Sequence, residues 1–437
     1  MDGRARAAGC CRAGQVTPGD NSVAEALDAH RRGDETATDL LDRALRLNPA
    51  DGRLLIAHAE AAAMAGRPEP LQRLEKAVRG APDWVDGQLA LANLKFELGD
   101  EHDFAAGMAE ALRRNPANAG LWNAYIQALV GAGQLAKAAD AARNAQAHFD
   151  LPVLKLIEAN HAGAAGQVDR AGRLLQEVPT DLAEYPDVAA RHFIRTRDFV
   201  RALGLLDLLK GRNPADIASW ALTELLWRKM SDPRAEWLSM DPAFIKAVDL
   251  KLSSDDIEGL AGLLRNLHTM RGRPFGQSAR GGTQTRGELF RRPEPQIREL
   301  QGRIQAALDA YRDGLPGVDK AHPLLARRDG QWVAEGGWSI RLQSSGFHVP
   351  HIHPSGVVSS ACYIVVPPPG DDPGEGQLEL GRPPADLALD LEPIATFAPS
   401  PGRLVLFPSF LYHGTRPFGS GERLSVAFDA HCAMRPA

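Results

Sequence analysis

Cysteines and long apolar runs are scarce in this chain of 437 residues. The four cysteines show no CxxC spacing, and the adjacent Cys10 and Cys11 would pair only in a strained geometry, so reduced thiols are expected. No run of about 18 apolar residues occurs, and the N-terminus has basic residues without the apolar stretch of a signal peptide. These absences predict a cytoplasmic protein without a membrane partner.

A large net charge of either sign is lacking as well. Charged residues make up 24% of the chain, and the formal net charge is only −5. Such a balance offers no global electrostatic attraction to nucleic acid or to an anionic membrane. Nucleic acid is therefore not expected as a partner, and partners have to be inferred from individual sites. The length suits two domains, each large enough to bury an apolar core.

The first half of the chain contains a repeat. Five glycines in similar contexts recur 33 or 34 residues apart, namely Gly33, Gly66, Gly99, Gly133 and Gly166. Each glycine ends one apolar helical stretch and precedes another, and a proline follows the second stretch in several units. This period predicts about six helix–turn–helix units between residues 22 and 229, after a disordered segment over residues 1–21.

The repeat resembles the tetratricopeptide family in the positions that pack its helices together. Trp122, Tyr125, Leu129, Gly133 and Ala138 occupy the spacing of that family. The resemblance implies an all-α superhelix, because one hairpin cannot cover its own apolar face and must stack on its neighbours. Such superhelices usually hold a peptide or a partner protein in a groove. The alternative is a scaffold that only holds the second domain.

The composition changes after about Trp237. A helical stretch, FIKAVDLKLSSDDIEGLAGLLRNLHTM, leads to a run rich in Gly, Thr, Gln and Arg and then to an amphipathic helix. Short β-branched or aromatic segments follow, separated by Pro and Gly turns: WVAEGGWSIRLQ, VVSSACYIVVP, GQLELG, GRLVLFPSF and RLSVAFDAH. This order predicts an α+β domain over residues 238–437 with a jelly roll or a related barrel.

Three of the thirteen histidines fall in the segment GFHVPHIHPSG. On an extended strand alternate side chains share a face, so His351 and His353 would point the same way. His413, about 60 residues further along, follows an apolar strand that would pair in the same barrel. Three convergent imidazoles suit Fe(II), Cu or Zn. Histidines beside prolines also occur in exposed turns, and the direction of His348 is ambiguous.

Arg423 and Ser425 stand at positions i and i+2 of the segment GERLSVAFD and would therefore face one way. A guanidinium fork beside a hydroxyl suits a carboxylate, and a guanidinium buried inside a barrel needs an anion. A dicarboxylic acid would satisfy the guanidinium while its other end reaches the metal. The alternative for Arg423 is an ordinary salt bridge on the surface.

Residues 238–432 resemble the iron(II)/2-oxoglutarate-dependent oxygenases, in particular a bacterial family with the ordered motifs PHxHP, FPS, HGTxPF and ERxS. The resemblance implies a double-stranded β-helix, which is a jelly roll with the metal at one open end. It also implies that His351 and His413 bind Fe(II), and that Arg423 and Ser425 hold the distal carboxylate of the cosubstrate 2-oxoglutarate. No catalytic residue beyond the metal centre is expected.

One position departs from the superfamily pattern, which usually has HxD. His353 stands at the Asp position, so it is either a third iron ligand or turned away, leaving two histidines and water on the metal. Tyr363 and Arg341, on strands flanking this segment, are expected to contact 2-oxoglutarate or to support the site, with core packing as the alternative for a strand aromatic. Gln284 and Thr285 are expected to line the substrate entrance.

The function implied by these residues is that of a dioxygenase, an oxidoreductase that uses Fe(II), O2 and 2-oxoglutarate and releases succinate and CO2. The substrate expected for this hydroxylase is a protein or peptide side chain presented by the repeats. One alternative is a repeat-based interaction protein whose barrel binds metal but no longer turns over. Another is a cupin-type metal enzyme, but that family has a Glu four or five positions after HxH, where this chain has Val357 and Val358.

Overall fold

The computed structural model describes residues 18–433, and the side chains of residues 22–432. Most of the predicted disordered segment 1–21, including Cys10 and Cys11, lies outside the described residues. Within them, a helical first part is followed by a domain of antiparallel sheets, which confirms the coarse fold class. No helix in the described part of the chain is long and apolar enough to cross a membrane.

The first part consists of helices that pair in chain order, each helix contacting the next. These helices are α1 (Pro18–Arg31), α2 (Ala37–Leu47), α3 (Gly52–Met64), α4 (Gln72–Gly80), α5 (Val85–Glu97), α6 (Ala106–Arg114), α7 (Ala119–Gly131), α8 (Leu135–Ala145), α9 (Pro152–Ala164), α10 (Val168–Glu177), α11 (Tyr185–Arg195), α12 (Phe199–Arg212), α13 (Ile217–Lys229) and α14 (Arg234–Ser239). Alanines allow close helix packing in this part, and the five that α8 contributes beyond its first turn are all buried.

The turn inside each described helix pair has a residue in the left-handed conformation. At the first five turns this residue is a glycine with φ between 61° and 107°, as the glycine spacing predicts. The following residue donates its backbone N–H to a carbonyl five residues earlier, as Gln134 does to Leu129 at 2.8 Å. Arg197 and Ser231 hold the left-handed position at the last two turns, with φ of 63° and 54°. The glycine signal therefore ends before the helical pairs do, and these run on to Ser239.

The second part contains two antiparallel sheets and two further α-helices among the described residues. Its elements are β1 (Lys246–Asp249), α15 (Ser254–Leu267), β2 (Ala279–Gln284), α16 (Pro295–Asp313), β3 (Gln331–His348), β4 (Val358–Val365), β5 (Leu378–Leu380), β6 (Ala395–Phe397), β7 (Arg403–Pro408), β8 (His413–Thr415) and β9 (Arg423–Ala433). The six-stranded sheet has the order β1-β7-β4-β9-β3-β2, and the three-stranded sheet has the order β6-β5-β8. The helices α15 and α16 pack against the larger sheet.

The five segments predicted as strands correspond to β3, β4, β5, β7 and β9. The prediction that the helix before the Gly-rich run begins near Phe244 is wrong. Helix α15 begins only at Ser254, after a capping box in which Ser253 and Asp256 bond reciprocally to each other's backbone N–H. The preceding residues form the edge strand β1, which pairs with β7. Its four residues are too few to show a strand period in the sequence.

The two parts contact each other along the C-terminal ends of the first helices of successive pairs. The segment 270–276, between α15 and β2, donates backbone hydrogen bonds to this surface from Gly272 to Glu97 at 2.7 Å and from Gly276 to Gly131 at 3.0 Å. Further contacts are ion pairs and side-chain to backbone bonds: Arg195 to Asp386, Arg228 to Gly381, Arg273 to Ala132 and Arg292 to Gly33. The sheet domain therefore rests on an edge shared by many repeats.

Candidate active site

A cavity lies between the two sheets and is lined by residues of both. Ile340 and Tyr363 come from the six-stranded sheet, and Leu378 and His413 come from the three-stranded sheet. His351, His353 and His413 all line the cavity, and their candidate ligand atoms lie within 4.8 Å of one another. The structure thus brings together the three histidines that the sequence analysis singled out.

A backbone bridge brings His351 and His413 together from segments far apart in the chain. The His351 N–H donates to the carbonyl of His413 at 3.0 Å, and the His413 N–H donates to the carbonyl of His351 at 2.9 Å. The segment around His351 was expected to be a strand, but it lies between β3 and β4 and forms only this isolated bridge. One bridge suffices to place the two ring centroids 4.2 Å apart.

The hydrogen bonds of these two imidazoles leave the same nitrogen unprotonated on each. The Nδ1 of His351 lies 2.9 Å from the carbonyl oxygen of Val349, and the Nδ1 of His413 lies 3.1 Å from that of Leu411. A carbonyl can only accept, so each Nδ1 carries the proton and each Nε2 presents a lone pair. A hydrogen-bonded N–H behind an unprotonated ring nitrogen is the usual arrangement of metal-bound histidines.

His353 is not turned away from the other two histidines. Its ring centroid lies 5.0 Å from that of His351 and 5.1 Å from that of His413. Its Nδ1 lies 2.7 Å from a carboxylate oxygen of Asp429, and its ring stacks on Trp338 with an interplanar angle of 16°. Of the two arrangements left open by the sequence, the geometry corresponds to the one with three imidazoles in the cluster.

Burial favours the neutral form of two of these imidazoles, His351 and His413. It lowers the pKa of His351 to about 4 and holds the pKa of His413 well below its ordinary value, with the neighbouring histidines adding to the effect. Neutral imidazole is the form that binds a metal ion. Three imidazoles converging in a cavity are a donor set that fits Fe(II) as well as Zn or Cu.

Arg423 lines the same cavity and is only 1% exposed. Its guanidinium donates to the carbonyl of Gly376 at 3.0 Å and to the hydroxyl of Thr415 at 2.7 Å, both neutral acceptors. Its Nε has no hydrogen-bond partner among the described residues, and neither has the buried hydroxyl of Tyr363. Burial lowers the pKa of Arg423. No described carboxylate lies within ion-pair distance to oppose this effect.

Ser425 faces the same cavity as Arg423, as expected from its position two residues along the strand, and it is paired in register with Tyr363 on β4. A buried cation with neutral partners and a nearby orphaned hydroxyl are costly unless a ligand satisfies them. A carboxylate bound here would satisfy both groups. The donor set of Arg423, Ser425 and Tyr363 therefore fits the distal end of a dicarboxylic acid.

Gln284 lines the cavity, but two other predicted residues do not. Arg341 is an outward neighbour of the cavity residue Ile340 on β3, and its guanidinium pairs with Glu422. Alternation along the strand turns it away, so a contact between Arg341 and 2-oxoglutarate is not supported. Thr285 accepts the backbone N–H of Ser339 at 2.9 Å, which ties the end of β2 to β3.

Two residues of the cavity were missed or left undecided by the sequence analysis. His348 lines it as a fourth imidazole, and the hydroxyl of Ser278 lies 2.9 Å from the Nδ1 of His348 and 3.1 Å from the Nε2 of His351. Ser278 belongs to the segment before β2 and reaches the site only because β2 pairs with β3. No sequence pattern marks it, whereas His348 was visible as a third histidine in the same short segment.

A second cavity of about 240 Å³ adjoins the first, and both are lined by Gln277, Gln284 and Trp338. Its lining includes Glu97 of the repeat helix α5 as well as Thr285. Arg286 binds Glu97 at 2.6 Å and also pairs with a glutamate of the preceding first helix, Glu60, at 2.9 Å. The repeats thus form one wall of the space next to the site.

The site combines a cluster of three histidines that could hold one metal ion with a buried guanidinium in the same cavity. Residues 336–429 match the family model described as "Putative 2OG-Fe(II) oxygenase". The match covers less than half of the chain but includes all three histidines, Arg423 and Ser425. It confirms that the C-terminal region has the sequence pattern of this oxygenase family, as its motifs predict. A search of curated protein sequences found no match.

Solved structures similar to parts of the chain include hydroxylases and repeat proteins. The viral collagen prolyl hydroxylase vCPH from Paramecium Bursaria Chlorella virus-1 is 14% identical, with 44% of this chain and 96% of that chain covered and a TM-score of 0.30. A prolyl-4-hydroxylase from Pseudomonas putida is 18% identical, with 44% and 93% covered and a TM-score of 0.27. A tetratricopeptide repeat protein from Parabacteroides merdae ATCC 43184 is 15% identical, with 50% and 88% covered and a TM-score of 0.36. These scores are too low for a conclusion about this chain to rest on them.

Proposed function

We propose that this protein is an iron(II)- and 2-oxoglutarate-dependent dioxygenase that hydroxylates a protein or peptide side chain. The observation that carries the proposal is the juxtaposition, in one cavity, of three metal-competent imidazoles with a buried Arg423 that has no anionic partner among the described residues. Three imidazoles by themselves would suit Zn or Cu equally well, and a buried arginine by itself would suit any anion. Together they match the two ends of a metal-chelating dicarboxylic acid.

In this proposal His351, His353 and His413 hold Fe(II), while Arg423, Ser425 and Tyr363 hold the distal carboxylate of 2-oxoglutarate. The iron, with 2-oxoglutarate and O2, supplies the oxidation chemistry and yields succinate and CO2. The chain supplies binding, orientation and shielding. The fixed Nδ1–H bonds keep the three Nε2 atoms directed at one point, and Arg423 fixes the depth to which the dicarboxylic acid enters.

The two sheets that enclose the cavity support a double-stranded β-helix as the fold of the second domain. The cavity has apolar lining residues, including Ile340, Leu378 and Ala427, beside the histidines and Arg423. The predicted limits are 22–229 for the repeats and 238–437 for the oxygenase domain, so the proposed boundary lies within residues 230–237. The described helical pairs continue to Ser239.

A polypeptide substrate is supported by the position of the repeats. The second cavity, which adjoins the one with the histidines, is lined in part by Glu97 of α5, so a substrate that occupies it would touch both domains. Part of the repeat surface is already covered by the chain's own segment 270–276, in which Phe275 packs on Phe96 at a centroid distance of 5.6 Å. We therefore propose that the repeats both shape the entrance and offer their remaining surface to the substrate. The cytoplasmic location stays a prediction.

Binding of metal and cosubstrate tests the proposed activity class. Protein loaded with Fe(II) without oxygen should develop a weak visible charge-transfer band on addition of 2-oxoglutarate. His413→Ala should abolish the band, while His102→Ala, which changes an exposed histidine of the repeats, should leave it intact. Full iron loading without a band in the unchanged protein would contradict chelation of 2-oxoglutarate at this site.

Substrate identification tests the second half of the proposal. Cell proteins captured by the full chain should contain peptides that gain one oxygen, with succinate formed in equal amount, and both should disappear in His413→Ala. A protein that binds Fe(II) and 2-oxoglutarate yet forms no succinate with any captured partner would support the alternative, an interaction protein with an inactive barrel.

A further inference from the structure

The imidazole of His353 differs from the other two in what holds its Nδ1. His351 and His413 donate to neutral main-chain carbonyls of their own segments. His353 instead lies 2.7 Å from Oδ2 of Asp429, which comes from β9. A carboxylate accepts only, so the Nδ1 of His353 carries the proton and its Nε2 is directed into the cluster.

Asp429 is held from its other side by a buried hydroxyl pair. The hydroxyl of Ser359 donates to Oδ1 of Asp429 at 2.9 Å, and Ser359 stands directly opposite Asp429 in the β4–β9 register. The hydroxyl of Ser409 lies 2.9 Å from that of Ser359 and donates to it, since the proton of Ser359 is already used. Both serines are buried, so both oxygens of Asp429 have fixed partners.

Asp429 has no Lys or Arg partner among the described residues. Its contact with His353 is a hydrogen bond from the imidazole, and no described Lys or Arg lies within ion-pair distance of it. Three neutral imidazoles bring no negative charge to a divalent cation. A carboxylate hydrogen-bonded to one of them raises the basicity of that imidazole and contributes its charge one ring away.

We propose that Asp429 is a positioning residue of the metal centre. It fixes His353 with the Nε2 toward the metal, and it supplies from behind the ring the negative charge that three imidazoles lack. The serine pair of Ser359 and Ser409 keeps the carboxylate in place. This inference rests on the proposed metal centre. Asp429 is not among the residues that hold the metal or 2-oxoglutarate in the proposed function.

Metal affinity of the full-length protein tests the role of Asp429 without any turnover. In a calorimetric titration, Asp429→Asn should bind Co(II) about 10- to 100-fold more weakly than the unchanged protein does. The substitution removes the negative charge of Asp429 and thereby lowers the basicity of the His353 imidazole. The visible spectrum of the bound Co(II) should also change. Glu335→Gln is the matched control, because Glu335 stands opposite Asp429 on β3 but is exposed. It should bind Co(II) as the unchanged protein does.

The outcomes separate this inference from the proposed function. Equal affinity and an equal spectrum for Asp429→Asn would overturn the role of Asp429 while leaving the metal centre in place. Unchanged Co(II) affinity in His413→Ala would instead overturn the metal centre itself. If Asp429→Asn does not fold, the unchanged protein with Zn(II) and 15N-labelled histidine carries the test. A His353 with its proton on Nδ1 supports the inference, and a proton on Nε2 overturns it.

Discussion

A half-buried arginine in the repeats and a buried one in the sheet domain show how differently the two parts of the molecule use charge. Arg170 in the repeats reaches Glu158 at 2.7 Å, and it also binds Asp140 at 2.9 Å. Arg423 in the sheet domain is even less exposed, and its hydrogen-bond partners among the described residues are a carbonyl and a hydroxyl. Carboxylates of neighbouring helices neutralise the repeat arginine, whereas no carboxylate in the described part of the chain pairs with the sheet arginine.

The location of the partners explains the difference. Glu158 lies on α9, Arg170 on α10 and Asp140 on α8, so the ion pairs connect consecutive helices and fasten one repeat to the next. A buried charge without an ionic partner costs stability, and it persists where a ligand supplies the partner. In the repeats, the arginine stabilises the packing of one helix on the next. In the sheet domain, the arginine remains able to bind an anion that enters the cavity.

Exchanging each arginine for methionine should give opposite results, and this is the largest effect we expect. Arg423→Met should weaken 2-oxoglutarate binding by about 100-fold, because a charge-assisted bond worth about 1.5 to 3 kcal/mol is lost. Without 2-oxoglutarate the variant should be as stable as the unchanged protein or more so. Calorimetric binding and denaturant unfolding measure the two quantities.

Arg170→Met is the matched control for that exchange. It should leave 2-oxoglutarate binding unchanged and lower the free energy of unfolding by about 1 to 3 kcal/mol, since it leaves Glu158 buried without its cation. Unchanged binding in Arg423→Met would remove this arginine from the anion pocket. Equal destabilisation by both exchanges would abolish the contrast between the two parts.

Arg286 tests the border between the two parts. It lies between Glu60 and Glu97, so Arg286→Met should lower the free energy of unfolding by about 2 to 3 kcal/mol, because it removes the guanidinium from two partly buried carboxylates and leaves Glu60 only its contact with His30. Hydrogen exchange should rise over residues 270–287 while 2-oxoglutarate affinity stays the same. Arg291→Met, at an exposed neighbouring ion pair, should change neither quantity. Unaltered exchange in Arg286→Met would show that the repeats do not hold this segment.

The smallest effect that we expect is a pH dependence of stability that arises from Glu224 in the last helical pair. Complete burial raises its pKa to about 7, against the opposing influence of Arg228. Because the folded pKa lies above the unfolded one, its contribution to stability is full below about pH 4.5 and is lost as the pH rises through about 7.

Glu224→Gln should remove about 2 kcal/mol of the difference in unfolding free energy between pH 5 and pH 8. Denaturant unfolding at the two pH values measures it. Asp207→Asn, at an exposed carboxylate on α12, is the control and should keep the pH dependence of the unchanged protein. If the free energy of unfolding depended on pH as steeply in Glu224→Gln as in the unchanged protein, other titratable groups would be responsible for the dependence.

Local patterns were sufficient for much of the fold. The glycine spacing predicted five of the helix turns, because a left-handed turn residue favours glycine. It failed where Arg197 and Ser231 adopt the same conformation, since the surrounding helices impose it there. The edge strand β1 was predicted as helix because its pairing with β7 is not visible in four residues.

The candidate site was predictable in part for the same reason. The motif around His351 and the pairing of Arg423 with Ser425 depend on short spacings, and the structure places all three residues in one cavity. Arg341 shows the limit, because its face on β3 depends on the register of a long bulged strand. Ser278 reaches the histidines from more than 70 positions away and left no local signal.

The amino-acid sequence alone determined the two-part architecture, the repeat period and the residue types able to hold a metal and a carboxylate, because these depend on spacing within one or two elements. Tertiary structure decided which nitrogen of each imidazole is unprotonated, that Asp429 stands behind His353, and that Arg423 is buried without a carboxylate beside it. Those properties arise from contacts between segments distant in the chain. Such contacts depend on strand register and on packing between sheets, which no local pattern encodes.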